Sequence, residues 1–132
     1  MLVKEALIFF LDGKSEEDVL TKEIHSNLSA PFYGNLGRCF YFLKEYDKAL
    51  KCYPKSFNLC YTEEHSDKYI NRGYISYWIA QALQKKGDNR AAFFFFMNCL
   101  KYWMRYSPHR AVLVEDELRL LKREIPEMVQ VL

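Results

Sequence analysis

The amino-acid sequence predicts an all-α protein made of antiparallel helical hairpins. Two stretches of the chain, residues 33–53 and 76–96, place large and small side chains in the same order and at the same spacing. Half of the 132 residues are apolar and 17% are aromatic, which supplies enough apolar surface for a packed core and argues against disorder. The length suits one domain or a short array of repeats.

The first stretch defines one hairpin. Its two small residues, Gly37 and Ala49, are twelve residues apart, and we expect them to face each other so that two helices approach closely. Large neighbouring side chains would fill the space around that contact. The pattern reads Tyr33-x2-Leu36-Gly37-x2-Phe40, followed by Ala49-x3-Tyr53.

The second stretch repeats this order less perfectly. Ala80 and Ala92 are again twelve residues apart, with a turn at Gly87-Asp88 between them. The pattern reads Ser76-x2-Ile79-Ala80-x2-Leu83, followed by Ala92-x3-Phe96. Two gapped matches in the same register predict two hairpins of one design.

Both stretches resemble the tetratricopeptide (TPR) repeat, whose pattern is an aromatic residue, Leu-Gly, a second aromatic and then Ala-x3-aromatic. The resemblance implies helical hairpins stacked as a short superhelix. The spacing from Ala49 to Ala92 is 43 residues, whereas the usual period is about 34, so about nine residues are extra. We place them in 59–71, in lengthened helices rather than in a longer loop, with Ser66 as an N-cap.

The chain is predicted to form a single domain over 1–132. Leading helices occupy 1–28, the first repeat 29–65, the second repeat 66–106, and capping helices 107–132. Within the leading part, Leu2–Leu11 forms a helix stopped by Asp12-Gly13, and Ser15 caps a second helix that runs to about Ser26.

Proline and apolar spacing shape the rest of the chain. Pro54 falls inside the second helix of the first repeat, where loss of a hydrogen bond and a clash with the Leu50 carbonyl predict a kink or break. Ser107-Pro108 opens a helix through about Lys122, and His109–Glu124 covers the end of the array. Its apolar side is predicted to contain Val112, Leu113, Leu118 and Leu121, and Pro126 begins a final turn or helix.

The run Ala91–Met97 would be apolar all around a helix. We therefore predict that this helix lies between its hairpin partner and the C-terminal helix, because such helices are buried on several sides. Its polar stripe of Arg90, Asn98, Lys101 and Arg105 is interrupted by Phe94. Core packing is the main role of the run, and the alternative is that Phe94 contacts a partner or a second copy.

The TPR resemblance also implies where a partner would bind. First helices of the hairpins line the groove, and their outward positions here would be Gly34, Arg38, Tyr41 and Phe42, and then Tyr74, Tyr77, Gln81, Gln84 and Lys85. Cations and amides at these positions suit carboxylates or backbone, and tyrosines offer flat contact area. Gly34 and Tyr77 occupy positions where the family's best-known carboxylate clamp needs lysine, so chaperone tails are not the expected ligand.

The sequence contains no motif for catalysis, phosphate binding or metal coordination, so no enzyme activity, cofactor or metal is expected. Glu63-Glu64-His65-x-Asp67 is interpreted as a solvated connection. The four cysteines are predicted to be buried free thiols, which favours the cytoplasm. No apolar run approaches the length of a membrane span.

The expected partner is a protein or peptide, which makes the chain a non-enzymatic interaction module. With a net charge of +2 and no basic cluster in the sequence, nucleic acid is not expected. Two alternatives remain open. One is a small regulatory or immunity-type binder that neutralises a partner protein. The other is a scaffold domain of a larger protein that homodimerises through exposed aromatics such as Phe94.

Overall fold

The computed structural model describes residues 2–21, 29–62 and 67–125, and within them the regular structure is entirely helical. The predicted all-α class is therefore confirmed. The helices are α1 Leu2–Leu11, α2 Glu16–Thr21, α3 Ala30–Phe42, α4 Tyr46–Thr62, α5 Lys68–Lys85, α6 Asn89–Tyr106 and α7 Pro108–Glu124. The chain divides into two compact units, Met1–Glu64 and His65–Leu132. Assignment of all segments to a single domain stays a prediction.

In the first unit, α3 and α4 pack against each other as a hairpin. Ser29 caps α3, because its Oγ accepts a hydrogen bond from the Phe32 amide at 3.3 Å. The turn after α3 uses Lys44 with a φ of 63°. The large residues of the predicted pattern are all fully buried: Tyr33, Leu36, Phe40 and Tyr53, together with the small Ala49.

Gly37 allows the close approach of the two helices, but its nearest neighbour differs from the predicted one. A Cβ atom at this position would lie 2.5 Å from Cε1 and 2.7 Å from Cδ1 of Tyr53. The glycine therefore accommodates the Tyr53 ring, one helical turn beyond Ala49.

Of the predicted kink or break at Pro54, the break is wrong and the kink stays a prediction. Helix α4 runs from Tyr46 to Thr62 with Pro54 inside it. Pro54 is exposed, so the hydrogen bond that it cannot make is lost on the solvent side of the helix. The buried side is held by Tyr53 and by Ser56, whose Oγ donates to the Ala30 carbonyl at 2.6 Å.

The leading helices follow the sequence prediction where they are described. Helix α1 stops at Asp12 and Gly13, which have φ values of 48° and 79°, and it packs on α3. Ser15 Oγ accepts from the Asp18 amide at 3.1 Å, which confirms the N-cap of α2. The predicted end near Ser26 lies outside the described residues.

Lysines of α4 connect α2 to the hairpin. Lys55 Nζ donates to the carbonyls of Val19 at 2.6 Å and Leu20 at 3.0 Å. Lys48 pairs with Glu16 of α2 and, at 3.1 Å, with Glu45. These contacts satisfy backbone groups near the end of α2 and fix it beside α4.

Within the predicted extra segment, residues 59–62 continue α4 and residues 68–71 belong to α5, as predicted for lengthened helices, and 63–66 lie outside the described residues. Helix α4 has 17 residues and α5 has 18, and α5 begins at Lys68 with Asp67 in the N-cap position. Ser66, the predicted N-cap, lies outside the described residues. Asp88 caps α6 by accepting from the Ala91 amide at 3.2 Å.

In the second unit α6 packs between α5 and α7, which confirms the prediction from its apolar run. A tight contact joins Gly73 of α5 to Trp103 of α6, since a Cβ on Gly73 would overlap Nε1, Cδ1 and Cε2 of the indole. Trp103 Nε1 donates to the Ile70 carbonyl at 3.1 Å. Neither residue belongs to the repeated sequence pattern.

Helix α7 covers α6 with a face that agrees with the prediction at Leu118 and Leu121 but not at Val112 and Leu113. Its buried residues are Ala111, Val114, Leu118 and Leu121. Val112 and Leu113 are each 58% exposed, so their assignment to the apolar side is wrong. Ala111 takes the place of these larger side chains because it lies one turn before Val114 on the inner face. The segment from Pro126 onward lies outside the described residues.

Candidate binding surfaces

Three of the predicted groove residues come together on α3. The Arg38 guanidinium carbon lies 5.0 Å from the centroid of the Tyr41 ring and 4.6 Å from that of Phe42. The two rings meet edge to face with centroids 5.4 Å apart, and Phe42 is 57% exposed. We call Arg38, Tyr41 and Phe42 the Arg38 patch. Gly34, predicted to face outward with them, is buried, so this part of the predicted orientation is wrong.

The Arg38 patch is anchored to the core of the first unit. Burial raises the pKa of the Tyr53 hydroxyl, and the nearby Arg38 guanidinium partly offsets this by favouring the ionised phenol. Arg38 is therefore near the buried Tyr53 as well as in contact with the rings of Tyr41 and Phe42. A guanidinium held in this way has less conformational freedom to lose when it binds a partner.

The two tyrosines predicted for the second repeat do not face freely outward. Tyr74 accepts a hydrogen bond from Arg110 Nε at 2.7 Å, and its ring meets the edge of Trp103 at 4.9 Å. Tyr77 contacts Phe96 edge to face at 5.2 Å and stacks near Trp103 at 5.9 Å. Both rings pack against the core of their unit, which corrects the predicted orientation. Their role in binding stays a prediction.

The remaining predicted positions on α5 are polar. Gln81 and Gln84 are half-buried, and Lys85 is exposed in the last turn. At the 43-residue spacing Gln81 and Lys85 correspond to Arg38 and Phe42. The second repeat therefore has no counterpart of the Arg38 patch at these positions.

Phe94 lies at the outer edge of α6, as predicted, and is 60% exposed. The polar stripe predicted beside it is only partly a solvent face. Asn98 is half-buried and its Nδ2 donates to Ser76 Oγ at 2.8 Å, which joins α6 to α5. A contact of Phe94 with a partner stays a prediction.

Sequence reasoning missed a second aromatic group, at the start of α5 and the end of α6. The rings of Tyr69 and Tyr106 stack with centroids 4.5 Å apart, and Tyr102 lies 6.5 Å from Tyr69. Lys68 Nζ and the Arg72 guanidinium each lie 5.2 Å from the Tyr69 centroid. Tyr102-x3-Tyr106 and Lys101-x3-Arg105, each one helical turn apart, are the signal that could have indicated it.

The thiols lie in the cores of the units. Cys39, Cys52, Cys60 and Cys99 are free and buried, as predicted. Burial raises the pKa of Cys52 and of Cys99 to about 12 and also raises the pKa of Cys39. A thiol held protonated in this way is a poor nucleophile and a poor metal ligand.

Within residues 2–21, 29–62 and 67–125, no group of three or more His, Cys, Asp and Glu side chains is placed to hold a metal ion. The sequence cluster at 63–67 lies outside these residues, apart from Asp67. In the same parts of the chain, no helix combines the length and the apolarity that crossing a bilayer requires.

Comparison with known families identifies the two hairpins. The family model of the tetratricopeptide repeat matches residues 30–61, which contain α3 and α4 up to Tyr61, and residues 73–102 of α5 and α6. The chain therefore carries two tetratricopeptide repeats, flanked by further helices. No curated protein and no solved structure matches the chain.

Proposed function

We propose that this protein is a non-enzymatic interaction module that recognises a segment or face of a partner protein, with the Arg38 patch as a principal contact. Tetratricopeptide repeats in general mediate protein–protein interaction. The observation that carries the proposal is the exposed Phe42 ring with a guanidinium against it and Tyr41 beside it. Arginine and aromatic residues are the types most enriched at the energetic centres of interfaces.

The patch suits an extended or helical segment that offers both an apolar and an acidic or carbonyl group. Phe42 and Tyr41 supply flat apolar area, and Arg38 supplies several donors in a fixed fork. Because Arg38 already contacts both rings, ordering it on binding costs little. The cytoplasm is the proposed compartment, since buried free thiols are typical of reducing environments.

The test begins with an affinity pull-down from the native host, followed by mass spectrometry. Binding of the captured partner is then measured with purified Arg38→Glu and Phe42→Ala variants. We expect about a tenfold or greater loss of affinity for each, with little change in thermal unfolding. Lys51→Glu, a charge reversal at an exposed position of α4, is the matched control. Partner binding that survives both patch substitutions would remove the Arg38 patch from the interface.

A second candidate is a scaffold that homodimerises through Phe94, favoured by the exposure of this large ring on α6. In sedimentation experiments such a dimer should dissociate on Phe94→Asp without unfolding. A monomer in the wild type at all accessible concentrations would exclude it.

A further inference from the structure

The lengthened ends of α5 and α6 gather cations around a tyrosine stack. Lys68 and Arg72 both approach the ring of Tyr69, and the Arg105 guanidinium lies 5.5 Å from the Tyr106 centroid. The two rings are nearly parallel, with 13° between their planes. We call this group, Lys68, Tyr69, Arg72, Arg105 and Tyr106, the basic tip.

The described residues at this end of the hairpin are rich in cations. Segments 67–74 and 98–110 contain five lysines and arginines and one acidic residue, Asp67, and two further acidic residues, Glu63 and Glu64, precede Asp67 in the sequence. Among the described residues, no carboxylate lies within ion-pair distance of Lys68 or Arg105. Contacts with ring faces stabilise such cations less than a well-placed anion does.

We propose that the basic tip binds an acidic segment of a partner protein. Lys68, half-buried, and Arg105, exposed, supply the direct contacts to carboxylates. Arg72 is buried with its guanidinium 5.2 Å from the Tyr69 centroid, so it supports that ring rather than contacting the peptide directly. Tyr106 is 40% exposed and provides a flat surface for a side chain or peptide group next to the acidic residues.

The dimensions favour a peptide over nucleic acid. Lys101 and Arg105 are one helical turn apart, which is about 6 Å, and Lys68 and Arg72 have the same spacing. Stable binding of duplex DNA typically uses about 6–10 phosphate contacts. The basic tip offers only a few cations over one turn, which matches two or three carboxylates of a short segment.

The test uses the full chain and a fluorescent synthetic peptide in which glutamates flank one tyrosine. Fluorescence anisotropy should show saturable binding that weakens between about 50 and 200 mM salt, because exposed charges are screened over this range. The Lys68→Glu/Arg105→Glu double variant should lose about tenfold or more in affinity. Tyr106→Ala should also weaken binding without changing the charge.

Arg123→Glu is the matched control for the single variant Arg105→Glu, since each reverses one exposed positive charge. It should change peptide affinity by less than about twofold. The inference is overturned if wild type fails to bind the peptide at about 1 mM, if Arg123→Glu weakens binding as much as Arg105→Glu, or if single-stranded oligothymidylate binds as tightly as the peptide. The Arg105→Gln variant gives a milder test if the double variant does not fold.

The basic tip does not depend on the function proposed for the Arg38 patch. Arg38→Glu should leave binding of the acidic peptide unchanged, and the double variant at the tip should leave an Arg38-dependent partner bound. Equal loss of the acidic peptide in Arg38→Glu would count against a separate site.

Discussion

The two repeats share one spacing but place their closest helix contact differently. In the first repeat Gly37 accommodates the Tyr53 ring. In the second repeat the corresponding position is Ala80, and the closest contact has moved to Gly73 and Trp103. The positions of the first repeat that correspond to this second pair hold Ala30 and Cys60. In each hairpin, therefore, the two helices approach most closely where one glycine packs against one large ring. The repeat pattern does not determine at which helical turn this contact lies.

The surfaces of the two repeats also differ in where their cations and aromatic residues lie. The first repeat carries the half-buried Arg38 and Tyr41 and the exposed Phe42 in the last turns of α3, whereas the matching positions of α5 are Gln81, Gln84 and Lys85. The second repeat instead has its cations and tyrosines at the lengthened end of the hairpin. Both cases join a cation to exposed rings, which is chemistry suited to protein recognition. The two repeats therefore share an architecture but do not present the same binding surface.

Removing the indole ring of Trp103 in the second repeat should cause the largest loss of stability. Trp103→Ala leaves a cavity at a buried site and removes the hydrogen bond to the Ile70 carbonyl, so the free energy of unfolding should fall by about 3–5 kcal/mol. Cys60→Ala, at the corresponding position of the first repeat, should cost about 1 kcal/mol because fewer buried atoms are lost. Urea unfolding followed by circular dichroism measures both. Equal costs would mean that Trp103 does not anchor its hairpin.

Adding a proline to the second helix of one repeat and removing it from that of the other tests how each helix tolerates proline. Met97 corresponds to Pro54, and Met97→Pro should destabilise the protein by about 3 kcal/mol or more because it removes a hydrogen bond inside α6. Pro54→Ala should stabilise it by about 1–2 kcal/mol, since proline is costly within a helix but also restricts the unfolded chain. Thermal unfolding gives the sign of each change. Destabilisation by Pro54→Ala would show that α4 depends on its proline.

Local sequence patterns predicted the helices, the Ser15 cap and the buried pattern residues of both repeats. These features depend on residues a few positions apart, whose relation follows from helical periodicity. Gly73 and Trp103 were missed because they lie 30 residues apart in sequence and outside the pattern. The basic tip was missed for the same reason, since the rings of Tyr69 and Tyr106, which lie 37 residues apart in sequence, stack only in the folded hairpin. The error at Val112 and Leu113 arose because α7 has apolar residues on two faces, and only packing selects one.

Adding one methyl group at each glycine compares the two close contacts directly. Gly37→Ala and Gly73→Ala should each destabilise by about 1–3 kcal/mol through overpacking, reduced by the about 1 kcal/mol that alanine gains in helix propensity. Asn35→Ala and Lys85→Ala, on the exposed sides of α3 and α5, control for propensity. Gly73→Ala should cost less in a Trp103→Leu background, because the indole that it would overlap is gone. If Gly73→Ala destabilises the Trp103→Leu variant as much as the wild type, the destabilisation comes from the backbone and not from overlap with the indole.

Alkaline pH should lower the free energy of unfolding through one buried thiol in each unit. This is the smallest expected change in stability among the predictions. Burial raises the pKa of Cys52 and Cys99 from the ordinary value of 9.0 to about 12. Above pH 9 the unfolded chain releases these protons while the folded protein keeps them, so the free energy of unfolding falls as pH rises. Between pH 8 and 10 each thiol should account for about 1 kcal/mol of this loss.

Cys52→Ala and Cys99→Ala, each compared with wild type by urea unfolding across this pH range, separate the two contributions. The two thiols together cause part of the pH dependence of the free energy of unfolding. Each substitution should remove about half of that part, because both thiols have the same raised pKa. The two units differ in one respect. The Lys55 ammonium beside Cys52 favours its thiolate and so lowers its pKa against the effect of burial. Lys55→Met should therefore raise the pKa of Cys52 further and leave that of Cys99 unchanged, whereas an equal change at both thiols would rule out this local charge as the cause.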